Sequence, residues 1–167
     1  MGEFSHGHAD GKGVKFFADG QTWLGKFSNG KLVSGVIWWP NGNVFTGDFI
    51  AGEDERKGVF VYSNGTISEG TFVDSTGDHE GVGAAIYTNN AIYIGHFKKG
   101  LRHGAGIEHY SDGSELIGDF AFGTPTNSHV YLVNDRAVKP NRQTTQGNRI
   151  TFSYSFGNRS YTTSFDE

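Results

Sequence analysis

With 167 residues, a formal net charge of −4 and no cysteine, the chain can form one domain or a short array, and it lacks any disulfide framework, thiolate metal site or thiol nucleophile. Its 26 glycines stand beside 14 Phe, 7 Tyr and 3 Trp; Gly loosens a chain while rings supply large buried area, and the pairing suits a turn-rich all-β protein. Residues 1–135 carry 16 acidic against 9 basic side chains and residues 136–167 carry 2 against 5, so most of the chain is a poor binder of nucleic acid and other polyanions.

Residues 1–12 are small and polar, with His6 and His8, and read as a lead-in or weak half-hairpin ending at Gly13. They hold no apolar run flanked by basic residues, and nowhere are there about 18 consecutive apolar residues, so neither a signal peptide nor a membrane-spanning helix is expected and the expected setting is cytoplasmic.

From Gly13 a frame recurs: a Gly, an aromatic four residues on, a Gly at seven, a Gly at twelve and Phe at fourteen. Gly13, Phe17, Gly20, Gly25 and Phe27 fit it, as do Gly35, Trp39, Gly42, Gly47 and Phe49. The next copies are Gly58, Tyr62, Gly65, Gly70, Phe72; Gly83, Tyr87, Asn90, Gly95, Phe97; and Gly106, Tyr110, Gly113, Gly118, Phe120. Five copies over residues 13–123 mean an array of small units, each resting on its neighbours.

Within a copy the first run reads as a strand, as in Val36-Ile-Trp-Trp39 and Val59-Phe-Val-Tyr62. An Asp-Gly or Asn-Gly step follows (Asp19-Gly20, Asn41-Gly42, Asn64-Gly65, Asp112-Gly113, with Asn89-Asn90 in copy four), and these residues tolerate the positive φ of a tight reversal. The second strand sets apolar residues about a central Gly at period two: Trp23, Gly25, Phe27; Phe45, Gly47, Phe49; Tyr93, Gly95, Phe97; Leu116, Gly118, Phe120, with Ser68 replacing the first ring in copy three. A Gly recurring inside a strand implies that a neighbouring ring lies over it. Each buried ring contributes roughly 1.5–3 kcal/mol, more than the roughly 0.5–1 kcal/mol lost to the Gly. Ten strands in one elongated antiparallel layer are expected, with the variable tips between copies on one exposed edge. Trp38 and Trp39 are adjacent and point to opposite faces, so one of them must meet solvent or an occupant.

Beyond Phe120 the frame fails. Residues 124–167 read as a cap or oligomerisation segment: His129–Val133 as a further strand, 136–147 as a loop, then an alternating hairpin over 150–165. That hairpin carries Phe152, Tyr154, Phe156, Tyr161 and Phe165 for an array end or a second copy.

The chemistry of turnover finds little support. His6 with His8 and His103 with His109 lack a third ligand at a zinc spacing, so no metal or cofactor is expected. The acidic tips Glu53-Asp54-Glu55 and Asp74 to Glu80 lack the alternating oxygens of a calcium loop. There is no nucleophile elbow, Glu115 and Asp119 lie about 13 Å apart on an extended strand, and the Gly-x-Gly pairs do not open a helix. No catalytic residue is assigned.

The Gly-x-Phe step, the pairs Gly11-Lys-Gly13, Gly81-Val-Gly83 and Gly104-Ala-Gly106, and the Lys99-Gly-Leu-Arg-His-Gly-Ala-Gly106 run resemble MORN repeats (membrane occupation and recognition nexus) over residues 7 to 123. The resemblance implies an interaction module: a scaffold, a partner of cytoskeletal or membrane-associated proteins, or an accessory array beside an enzyme. On this basis the chain is expected to be non-enzymatic and to hold a protein or peptide in an aromatic groove formed by Trp23, Phe27, Trp39, Phe45, Phe49, Tyr62, Phe72, Tyr87, Tyr93, Phe97 and Tyr110. The alternatives are anionic-membrane binding through Arg136, Lys139, Arg142, Arg149 and Arg159, and a homo-oligomeric structural component.

Overall fold

A computed structural model describes the backbone of residues 1–50, 53–74, 76–133, 136–138, 142–146, 149–156 and 159–166, with side chains through residue 133 except 127 and 128. Thirteen strands form one antiparallel sheet in sequence order: β1 (Gly2–Ser5), β2 (His8–Phe16), β3 (Thr22–Ser28), β4 (Lys31–Trp38), β5 (Val44–Phe49), β6 (Glu55–Val61), β7 (Ile67–Val73), β8 (His79–Ile86), β9 (Ile92–Lys98), β10 (Leu101–His109), β11 (Glu115–Ala121), β12 (Thr124–Val133) and β13 (Arg136–Val138). A second sheet holds β14 (Arg142–Gln146), β15 (Arg149–Phe156) and β16 (Arg159–Asp166). Among the described residues there is no helix. The layer is the open all-β array that the repeat demands.

Three differences from the sequence reading concern strand number. The lead-in is a full hairpin: β1 and β2 turn at His6 and Gly7, both at positive φ (49° and 81°), and the Val14 amide donates to the Met1 carbonyl at 2.8 Å. The residues read as a loop contain β13 and β14. Arg142-Gln-Thr-Thr-Gln146 has no apolar alternation, so the period-two signal is missing although the backbone pairs with β15.

Five turns share one construction. The aromatic's amide donates to the carbonyl four residues on, and the frame Gly or Asn donates back to the aromatic's carbonyl: Trp39 with Asn43 and Gly42, Tyr87 with Ala91 and Asn90, and likewise at Phe17, Tyr62 and Tyr110. The residue before each Gly or Asn accepts from the amide two positions later, as Asn64 does from Thr66 at 2.9 Å and Asp112 from Ser114 at 2.9 Å. These side chains pin the reversal. Asn90 stands at φ 63°, a conformation Asn tolerates better than most residues, so copy four keeps the turn without the glycine.

The strand glycines align across the sheet. Register pairs Gly13 with Gly25, Gly25 with Gly35, Gly35 with Gly47, Gly47 with Gly58 and Gly58 with Gly70, then resumes as Gly83, Gly95, Gly106 and Gly118. The result is a furrow one residue wide running perpendicular to the strands. A methyl group at Gly25, Gly35, Gly47 or Gly58 would press on the facing backbone, and one at Gly106 would overlap the Tyr93 ring. Tyr93 lies across the furrow and donates its hydroxyl to the His96 carbonyl at 2.9 Å. Rings cover Gly95 and Gly106 (Tyr93) and Gly70 and Gly83 (His79), whereas Gly35, Gly47 and Gly58 meet main chain.

Candidate functional site

Two rows of side chains border the furrow on the same face. On its turn side, register links Lys15, Trp23, Ile37, Phe45, Phe60, Ser68, Ala85, Tyr93, Glu108, Leu116 and Tyr131. On its tip side, each Phe of the Gly-x-Phe step meets a residue from the following strand: Phe27 with Leu32, Phe49 with Arg56, Phe72 with His79, Phe97 with Arg102 and Phe120 with Pro125. The rows fold over the furrow from both sides.

The eleven predicted groove residues all lie in the clusters on this face, with unequal roles. Phe27, Phe45, Phe72, Tyr93 and Phe97 are at most 5% exposed and form the floor. Such residues hold the array together; they cannot meet a partner without opening it. Trp23, Trp39, Phe49, Tyr62, Tyr87 and Tyr110 are half-buried. Trp23, Trp39 and Phe49 line an open groove of about 810 Å³ whose floor includes Ile37 and Leu32 and whose ends carry Lys15 and Arg56. Tyr62 and Tyr87 border a second hollow of about 420 Å³ over Ser68 and His79. Tyr110 packs on Tyr131, ring centroids 6.2 Å apart.

Trp38 points to the opposite face, 39% exposed, while Trp39 stacks on Phe60 at 5.4 Å. That opposite face is itself apolar: Phe16, Leu24, Ile86, Ile94 and Val130 are between 43% and 69% exposed. The residues proposed for the C-terminal contact, Phe152, Tyr154, Phe156, Tyr161 and Phe165, occupy β15 and β16, where register aligns Tyr154 with Tyr161 and Ile150 with Phe165. Their side chains lie outside the described residues.

Sequence reading found the Phe residues of the tip-side row and missed their partners on the following strands. Bulges shift register between Lys26 and Phe27, between Glu69 and Thr71 and between Arg102 and Gly106, so Leu32 lies three, Arg56 two, and His79 and Arg102 four residues before their glycines. A fixed frame cannot align them, although they are structurally equivalent.

His79 fills the gap left by Ser68. Its ring is 1% exposed, stacks on Phe72 at 4.6 Å and Phe97 at 3.8 Å, and covers Gly70 and Gly83. The Ser68 hydroxyl donates to the Ala84 carbonyl at 3.2 Å, so the 2.7 Å bond to His79 uses the Nδ1 proton. Nε2 is then a bare lone pair with no partner. Burial lowers the His79 pKa to about 4 and keeps the ring neutral.

The two arginines differ. Arg102 forms an ion pair with Glu108 and donates to the Gly123 carbonyl at 2.6 Å; Tyr110 donates to the second Glu108 oxygen at 2.9 Å. Arg102 also lies over Tyr87, Tyr93 and Phe120, 5.3–5.9 Å from the ring centres. Arg56 lies over Trp39, Phe45 and Phe60 at 5.3, 4.8 and 5.7 Å; among the described residues its ion-pair neighbour is Asp74 at 3.6 Å, and its buried Nε has no partner. Desolvation lowers the Arg56 pKa and raises that of Tyr62, each partly offset by charge interactions that include the other. Among the described residues no group of three or more His, Asp or Glu side chains could hold a metal ion.

A model of the MORN repeat family matches residues 1–22, 24–44, 45–67 and 93–115. The span between the third and fourth matches contains the frame departures Ser68 and Asn90, and His79, which fills the gap beside Ser68. The ALS2 C-terminal-like protein of Bos taurus is 30% identical over 105 residues, covering 60% of this chain and 10% of that protein. The chain thus spans about a tenth of the length of that relative.

Proposed function

The chain belongs to the MORN repeat family, and from that premise we propose that it is a non-enzymatic scaffold array whose aromatic groove receives an extended segment of a partner protein. The observation that carries this reading is the groove between Trp23, Trp39 and Phe49: half-buried rings stand over a buried floor of Leu32 and Ile37, so apolar area is offered to an occupant without opening the core. Large rings with little side-chain freedom make good anchors, because ordering them on binding costs little. The setting we propose is cytoplasmic, beside cytoskeletal or membrane-associated partners.

Peptide display selected on the whole chain, followed by titration of the best-enriched peptide, tests the reading. Trp23→Ala and Trp39→Ala should each weaken binding by about 2 kcal/mol, the ordinary cost of truncating an aromatic anchor. Unchanged affinity in both variants would refute the groove.

A second reading is favoured by charge placement. Arg136, Lys139, Arg142, Arg149 and Arg159 make the C-terminal segment basic, worth about 1 kcal/mol per residue at an anionic bilayer. The acidic array opposes that attraction. Liposome sedimentation of the whole chain, with and without Gln at those five positions, distinguishes the readings: salt-sensitive binding lost in the variant is the membrane outcome. Light scattering tests whether the hairpin of β15 and β16 joins two copies.

A further inference from the structure

Copies three and five place the same two donors at equivalent points. Arg56 faces Phe49 and Arg102 faces Phe97 across the tip hairpins, and Tyr62 and Tyr110 occupy one position of the frame. The copies differ at the residue two beyond the first glycine, which is Phe60 after Gly58 and Glu108 after Gly106.

In copy five the Glu108 carboxylate completes the set, pairing with Arg102 and accepting from Tyr110. Copy three has a ring in its place. Arg56 is 5% exposed, Asp74 stands beyond hydrogen-bond reach, Nε is unpartnered, and the Tyr62 hydroxyl bonds no described residue. A buried guanidinium met by a carboxylate only at 3.6 Å and with Nε unpaired is costly to the fold, and a closer carboxylate is the group that matches its planar fork. The array itself shows the finished arrangement two copies along.

We propose that Arg56 and Tyr62, beside Trp39, hold an Asp or Glu carboxylate of the bound peptide, supplying from the partner what Glu108 supplies internally. This rests on the groove reading, since the peptide backbone must run along Trp23 and Trp39 for its acid to reach Arg56. Flanking charge narrows the peptide further. Lys15 and Lys31 line the groove with Arg56, while exposed Glu53, Asp54 and Asp74 stand near its Arg56 end. Those three repel a run of acids, so the ligand is one carboxylate between apolar residues. Apolar neighbours also supply the ring contacts that the groove floor leaves open.

Titration of the ¹⁵N-labelled whole chain with acetyl-Leu-Glu-Leu-Phe-amide and its Gln counterpart tests the proposal. Both peptides should move the indole signals of Trp23 and Trp39, with Trp38 on the far face unmoved, and the Glu peptide should bind about tenfold more tightly, the yield of one charge-assisted bond. Arg56→Met, which keeps the stem over the rings, and Tyr62→Phe should reduce that preference while Gln-peptide binding persists and shows the groove intact. Equal affinity for the two peptides would overturn the carboxylate and leave the groove standing. No movement of Trp23 or Trp39 with either peptide would overturn both. A preference surviving in Arg56→Met, or inorganic phosphate competing as well as the Glu peptide, would overturn the assignment to a peptide acid at Arg56.

Discussion

Acid should loosen this array through His79, in a way that one substitution removes. The imidazole is sealed between Phe72 and Phe97, with its Nδ1 proton given to Ser68 and a bare Nε2 over the glycine furrow. Its folded pKa of about 4 lies below the ordinary value of 6.5, so the fold favours the neutral ring. The stability this represents is fully present above pH 6.5 and is lost as the pH falls from there towards 4. In full this amounts to about 3 kcal/mol, of which about 2 kcal/mol is lost by pH 5. Urea denaturation between pH 7.5 and 4, followed by fluorescence, measures the loss. His79→Phe keeps a ring between the two Phe residues and leaves Ser68 its Ala84 acceptor, but cannot take up a proton. Carboxylates titrate in both proteins, including Asp74, whose pKa burial raises; their contribution cancels in the difference. The wild type should lose about 2 kcal/mol more than His79→Phe on going from pH 7.5 to 5. Parallel pH profiles would refute the sealed-imidazole account.

Other substitutions address separate parts of the design. Glu108→Ala should destabilise by about 3–5 kcal/mol, because it strands the Arg102 guanidinium under Tyr87, Tyr93 and Phe120; Glu108→Ala with Arg102→Met should recover much of that in the same urea assay. Gly106→Ala should cost about 1–3 kcal/mol or more, since its methyl group meets the Tyr93 ring; Gly113→Ala, which meets open space but keeps φ at 81°, should cost about 1–2 kcal/mol from backbone strain alone. Asn90→Gly should be neutral within about 0.5 kcal/mol, whereas Asn90→Val at φ 63° should cost about 1–2 kcal/mol.

The fold was legible because its signals are local and repeat. An Asx residue, a positive-φ residue and a ring at fixed offsets specify each reversal, and five copies set the glycines in register. The choice between Trp38 and Trp39 depends on three-dimensional placement, as does the division of eleven rings into a sealed floor and an available wall. Arg56, His79 and Arg102 were hidden for a different reason. Bulges near some tips change the offset between equivalent residues, so cross-strand partners fall at unequal distances in sequence. Ser68 departs from the frame, and the histidine eleven residues later supplies the ring it lacks. β14 carried no apolar period at all.

At Gly35, Gly47 and Gly58 glycine faces glycine across the sheet and the nearest neighbours are main chain. A joint of this kind accepts a copy that keeps its own glycine there and a ring for its neighbour, as Phe60 does for Phe45. Duplication or loss of a unit that keeps both therefore changes how many residues of a partner can be spanned. Reach becomes a quantity the lineage can adjust in steps of one hairpin, independently of what each hairpin recognises.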